Sequence, residues 1–428
     1  MTRTTKMDRR AVLAGAATFL ATPMILKASR ASAQAATFKI GFVNPATGPL
    51  AGFGEADQYI IKAAQAAMAG VVNNGRPVNV EIIYKDTQSN SNRAAEVAVE
   101  LIERDGVDLI VATGGPDTTN PVADQCELNE VPCVTTVAPW QPYFFGRQGD
   151  PAEGFDFTYH FFFGLEDAIA NFVNLWDDSG VVGKNVGGLF PNDADGNAWG
   201  DPERGIPKPL AARGYNVIDS GRFQVMNNDF TSQIAAFKAA NCEIVTGNMI
   251  PPDFATFWSQ AAQQDFNPKV VTIGKALLFP SVIESLGARG DGLTTEIWWS
   301  PDHPFASSLT GESSRQLAEG YVAATGRAWT QPIGFVHALF EIAADVVKRA
   351  EQLDDSYSVT DALAATDLDT IVGNVAWNGG PLNPVKNVAR TPLVAGQWQL
   401  DSGSPELVIT NNAEAPDIPV SGEMKLIG

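Results

Sequence analysis

The stretch GGPDTTNPVADQ, residues 114 to 125, sets two glycines, a proline, an aspartate and two threonines between an apolar run and a helical one. Gly114 and Gly115 free the backbone, and Thr118 and Thr119 add hydroxyls to the unpaired amides of a first helical turn, a combination suited to holding a polar or anionic group. The same residues also read as an ordinary helix start capped by Asp117 or Thr118, and spacing alone leaves both readings open. Elsewhere the chain offers little chemistry. His160, His303 and His337 fall at no metal-ligand spacing and beside no cysteine pair. The G-x-S-x-G, H-E-x-x-H and G-x-x-x-x-G-K-[ST] signatures are missing. In LAGFGEAD two glycines of a dinucleotide fingerprint are present, but Asp57 stands where the third belongs. With 49 acidic residues, no pair stands out as a general acid and base. No catalytic set, metal or cofactor is therefore expected. Aromatic residues are more informative: Phe53, Trp140, Tyr143, Phe144, Trp199, Trp298 and Trp299 stand in or beside Gly/Pro-rich connections. Each alone packs a core as readily as a pocket, whereas several facing one cleft would line an apolar, π-rich site.

These residues need a scaffold, and the hydrophobic period supplies one. FKIGFV, VNVEIIYKD, VDLIVATG and VPCVTTV read as buried strands, and ADQYIIKAAQAAMA, SNRAAEVAVELIERDG and TTNPVADQCELNE carry helical spacing between them. Such alternation implies right-handed βαβ units and a parallel sheet. After an aromatic segment at 140 to 163 the pattern restarts with NVGGLF, YNVIDSGRF, CEIVTGNM and KVVTIG. Two doubly wound α/β units are expected. GLTTEIWWSPDHPF reads as an extended connection, two long helices follow, and the tail has period-two character. In such sheets ligands bind beyond the carboxyl ends of the strands, which is where GGPDTTNPVADQ lies.

Residues 1 to 35 read as an export signal. Arg9 and Arg10 precede AVLAGAATFLA, too short to span a bilayer, and ASA or AQA offers a cleavage site. The arginine pair and the basic Lys27 and Arg30 resemble a twin-arginine signal more than a general secretory one. The full chain has formal net charge −20, and this segment holds a surplus of five positive charges, so the remainder stands at −25. Polyanions such as nucleic acid are poor partners for that surface. With three cysteines at least one is unpaired, and a Cys126–Cys133 bridge and buried thiols are both open.

Taken in order, FKIGFVNPATGPLAGFG, YKDTQSNSNRAAEVAVELIERDGVDLIVATGG, VPCVTT, FPNDADGNAWG, DFTSQIAAFKAANCEIV and DTIVGNVAWNGG resemble the extracytoplasmic substrate-binding proteins of ABC importers. The branched-chain amino-acid (Leu/Ile/Val) binding family, the type I periplasmic binding proteins, is the nearest likeness. The resemblance implies a periplasmic monomer of two Rossmann-like lobes, 36–163 with 300–373 and 164–299 with 374–428, joined by three crossovers near 160 to 166, near WWSP and near Asn374. It also implies no enzymatic activity: closure on one small molecule in the interlobe cleft and presentation to a membrane permease suffice.

The resemblance assigns ligand positions as well. Asp117, Thr118 and Thr119 match the loop that grips an amino-acid carboxylate, although its first serine is Pro116 here. Ala138 and Trp140 occupy the turn after the fourth strand, Phe53 and Trp199 match aromatic walls, and Met249 falls near another. Where the family's second lobe has a glutamate for the ligand ammonium, this chain has Lys275, and Glu166 is the acidic position that survives. Exchanging an ammonium partner for a lysine while gaining tryptophans points to an aromatic or hydrophobic carboxylate. A branched-chain or other amino acid, a cation in an aromatic cage, and service as the ligand-loaded partner of a sensor or chemoreceptor are the alternatives.

Overall fold

The structure, a computed structural model, describes residues 35–427. The expected export segment lies outside the described residues apart from its last position. From Ala36 onward, strands and helices alternate into two seven-stranded sheets and a separate hairpin.

The first sheet runs Val388–Ala389, Thr158–Phe161, Cys133–Thr136, Leu109–Ala112, Ala36–Asn44, Arg76–Asp86 and Val72–Asn73. All pairs are parallel except the short Val72–Asn73 edge strand, which turns back on Arg76–Asp86. The central strands are continuously buried, as expected for a parallel sheet covered on both faces. Beneath it lies the helix Pro332–Arg349, buried nearly all round, and the Asn73 amide donates to the carbonyls of Val347 and Ala350 at its last turn (2.9 and 2.7 Å).

The second sheet runs Glu406–Asn411, Val394–Gln399, Thr294–Ile297, Val270–Gly274, Ile244–Asn248, Asn185–Leu189 and Asn216–Asp219. Five strands are parallel, and the last two of the chain add antiparallel at one edge. Those two are the period-two tail. TTEI, read from sequence as part of an extended connection, is instead a strand of this sheet, wedged between Val270–Gly274 and Val394–Gln399. At four residues with two threonines and a glutamate it carries too little apolar character to announce itself.

Each sheet with its helices forms one lobe, and the chain passes between them three times. The first passage follows Phe161. The second follows Ile297, where the Gln331 side chain accepts from Trp298 N (2.8 Å) and donates to Glu296 O (3.1 Å). The third comes at 390 to 393, later than the expected Asn374. Gly373–Ala376 closes a hairpin on Asp367–Thr370, Trp377 packs on Tyr159, and Val388–Ala389 pairs with His160 and Phe161. Residues 374 to 389 therefore belong with the first lobe. A two-residue strand has no period to read, which is why the sequence misplaced this boundary. Cys126, Cys133 and Cys242 are all free, buried thiols, and Cys126 lies within hydrogen-bond reach of Cys133.

Candidate functional site

The lobes meet over a cavity between the carboxyl ends of the two sheets. Its lining follows the strands one by one. The first lobe contributes Phe53, Gly115, Val137, Pro139, Phe162 and Phe163, all in connections that leave strand ends. The second contributes Asp195, Trp199, Asn248, Lys275, Leu278, Glu296 and Trp298. This is the crevice that parallel α/β sheets offer to ligands.

Backbone geometry is unusual at the contact points. Val137 and Lys275 each directly follow a strand and hold φ of +61° and +67°, a left-handed conformation that a β-branched or long side chain rarely adopts. Gly115 (φ +98°) opens the helix Pro116–Leu128, and a Cβ there would point at Lys275 Nζ and Asp195 Oδ2, 3.8 and 3.9 Å away. A side chain at Gly114 (φ +108°) would drive into the ring of Pro45. The glycine pair thus lets the first lobe's helix start approach the second lobe's charges.

Those charges form a buried cluster. Lys275 Nζ donates to Asp195 Oδ2 at 2.9 Å, with both side chains almost fully buried. Burial opposes the Lys275 ammonium, but Asp195, Asp193 and Asp117 outweigh it and the net shift is upward. Burial pushes the Asp195 carboxyl up against the pull of Lys275. Asp195 and Trp199 sit four apart on the helix Ala194–Trp199 and so share one face. Among the described residues, three buried polar atoms of the lining have no partner: Asp195 Oδ1, Trp199 Nε1 and Asn248 Oδ1. Glu296, also buried, accepts from Lys275 N (3.2 Å) and lies 3.0 Å from Thr295 Oγ1. Burial raises its carboxyl to about 7. Around this centre stand aromatic rings, with Phe162 edge-on to Trp298 (centroids 5.2 Å) and Phe53 edge-on to Phe279 of the other lobe (5.2 Å).

Of the residues expected from sequence, Phe53, Trp199 and Lys275 line the cavity. Lys275, expected to meet a ligand carboxylate, is paired with Asp195. The Thr118 and Thr119 hydroxyls turn back to the Gly115 carbonyl (3.2 and 2.9 Å), as helix-start threonines do, and do not line the cavity. Asp117 accepts from Ala194 N at 3.3 Å, tying the two lobes together beside the cavity. Ala138 gives its carbonyl to His160 Nε2 (2.8 Å), and its neighbours Val137 and Pro139 face the cavity instead. Met249 is buried, with Asn248 in the lining position. Trp140 and Glu166 bind each other: the indole N–H donates to Glu166 Oε1 (2.9 Å), Gln141 donates to Oε2, and Arg390 reaches Glu166 and Asp167 at 3.4 and 3.0 Å. That network spans the first and third passages between the lobes. Sequence reasoning missed Asp195, Asn248, Glu296 and the Phe162–Phe163 pair. Each falls at or just beyond the carboxyl end of a strand, the one signal that was available.

Residues 37–402 match the family model described as periplasmic binding protein. The leucine-binding protein LivK of Thermotoga maritima superimposes with a TM-score of 0.71 at 20% identity, covering 88% of this chain and 99% of that one. An ABC-transporter solute-binding protein of Rhodopseudomonas palustris BisB5, solved with 3,4-dihydroxybenzoic acid, gives 0.70 at 18%, covering 90% and 99%. Another from R. palustris, solved with 4-hydroxybenzoate, gives 0.70 at 16%, covering 89% and 98%. At these identities the structural likeness is one of fold. The family match extends over most of the sequence, and the chain belongs to the periplasmic binding proteins, with the two-lobed type I fold of their branched-chain amino-acid-binding members.

Proposed function

We propose that this protein captures a hydroxylated aromatic carboxylate by closing its lobes over it, and delivers it to the permease of an ABC importer after export of the chain on the twin-arginine segment at 1 to 35. One observation carries the ligand class: Trp199 Nε1, a buried donor with no partner, stands with Lys275 among the aromatic side chains of Phe53, Phe162, Phe163 and Trp298. A buried N–H left unpaired is costly, and an anionic acceptor relieves that cost best. The flat apolar surround suits a benzene ring. Unpartnered acceptors at Asp195 Oδ1 and Asn248 Oδ1 suit a phenolic hydroxyl. The benzoate ligands named for two proteins of the same fold agree with this chemistry.

Asp195 and Glu296 favour a second reading, an amino acid whose ammonium meets the acids while its carboxylate meets Trp199 and Lys275. A thermal-shift panel separates the two. At 100 times its Kd a ligand adds about 2.7 kcal/mol of stability. The expected result is a clear rise with 4-hydroxybenzoate, a smaller one with benzoate, and none with leucine. A rise with leucine alone replaces the first reading by the second.

A further inference from the structure

Among the described residues, Glu296 is a buried carboxyl with no cation of its own. It is 3% exposed and lines the ligand cavity, yet the nearby ammonium, Lys275, is committed to Asp195. An ionised carboxylate without a counter-ion is strongly disfavoured in such a place. The hydrogen count agrees. Thr295 Oγ1 lies 3.0 Å from both Ile273 O and Glu296 Oε2, and its single hydrogen serves only one of them. With that hydrogen on Ile273 O, Glu296 Oε2 receives no donor and is the oxygen free to carry a proton. The other carboxyl oxygen, Oε1, takes the Lys275 amide. Gly274 leaves room for the arrangement: a Cβ there would sit 3.3 Å from both Glu296 oxygens and 3.5 Å from the Trp199 ring.

We propose that Glu296 is a specificity-determining group of the cleft: it holds a proton in the closed site and donates it in a hydrogen bond to a carboxylate oxygen of the ligand, so that capture of the anion at alkaline pH takes one proton from solvent. The proposal rests on the aromatic-acid reading above. The charged groups around Glu296 are the Lys275–Asp195 pair, with Asp193 and Asp117 beyond it. The acids of the helix Leu165–Asp178, packed on the same strand, are engaged elsewhere: Glu166 and Asp167 with Arg390, Asp177 with Lys184 and Arg213, and Asp178 with Asn411. The strand Val394–Gln399 and Gln331 bring only neutral groups. An incoming anion therefore adds to an acidic surround, and a proton on Glu296 removes one negative charge and supplies one donor. An ammonium ligand would have the opposite requirement and release that proton.

Titration calorimetry with 4-hydroxybenzoate in phosphate and in Tris at about pH 8 reads proton uptake from the difference in heat between the buffers. Wild type should take up close to one proton per ligand, and its affinity should fall about tenfold per pH unit above about 7. Glu296→Gln should show neither effect; Glu296→Met serves where the amide variant does not fold. No uptake by wild type, or an equal pH slope in the variant, overturns the proposal. If 4-hydroxybenzoate does not bind at any pH, the ligand reading falls, and the proton is decided without ligand. The stability of wild type relative to the variant should decline as pH rises through about 7, because the folded protein keeps a proton that the unfolded chain releases around 4.5. A difference that stays constant from about pH 5 to about pH 9 overturns it.

Discussion

Lys275 and Asp195 need each other before they need a ligand. Lys275→Met leaves Asp195 buried without a cation, which costs about 3 to 5 kcal/mol, whereas Lys275→Met with Asp195→Leu removes both charges and should recover most of that loss. Denaturant unfolding checks the stabilities, and the double variant should still fail to bind 4-hydroxybenzoate. If it binds as wild type does, the pair is structural and the cleft reads its ligand elsewhere. Trp199→Phe keeps the aromatic wall and deletes the unpartnered N–H. Loss of a hydrogen bond to a charged group predicts an affinity about 10- to 100-fold lower with stability little changed. Unaltered affinity in that variant would remove the indole from the ligand contacts.

The elements that carry these side chains were legible in the sequence to unequal degrees. Strand and helix alternation from Phe38 to Ile273 gave both sheets, because continuous apolar runs and helical stripes have distinct periods. Glu296 was lost with its strand, since TTEI is buried by tertiary packing and not by its own composition. Trp140 and Glu166 were placed at the ligand because they occupy ligand positions in the family's order. Only the third passage, Arg390 included, reveals them as partners of one another, and no local pattern brings residue 390 next to 166. Glu166→Gln tests their role. Weakening a partly exposed ion pair is worth up to about 1 kcal/mol, so the balance of open and closed forms should shift severalfold. The shift is visible as a larger radius of gyration by small-angle scattering in the ligand-bound state. The rank order of ligands should stay the same, and a change in that order would return Glu166 to the ligand. Gly114→Ala forces a Cβ into Pro45 at a positive φ and should destabilise the first lobe by more than about 1 kcal/mol, read as a lowered Tm.

At the scale of the whole molecule, an acidic chain has buried several of its carboxyls without cations. Burial raises Asp57, Glu296 and Glu341 to about 7 and Asp253 to about 6. Each then keeps a proton in the folded state that the unfolded chain has released above 3.8 (Asp) or 4.5 (Glu). Their contribution is complete below those values and is lost as pH rises through about 6 to 7. The buried histidines His160, His303 and His337, whose burial lowers them to about 3, 3 and 4, pull the other way until the unfolded chain's imidazoles lose their protons near 6.5. The Tm should accordingly fall between about pH 6.5 and about pH 8, and a Tm that rises across this window would show these acids to be ionised in the fold. The same economy of cations shapes the cleft, where one lysine faces three aspartates and a glutamate. A site built this way holds an anion only by spending every donor it has, Trp199 Nε1 and the Glu296 proton included. Calorimetric titration of the wild-type protein with 4-hydroxybenzoate and with leucine at about pH 6, where Glu296 is protonated, puts that account to its most direct test. The account predicts saturable one-to-one binding of the benzoate with a negative heat-capacity change, and no heat with leucine. Tight leucine binding without response to the benzoate would contradict it.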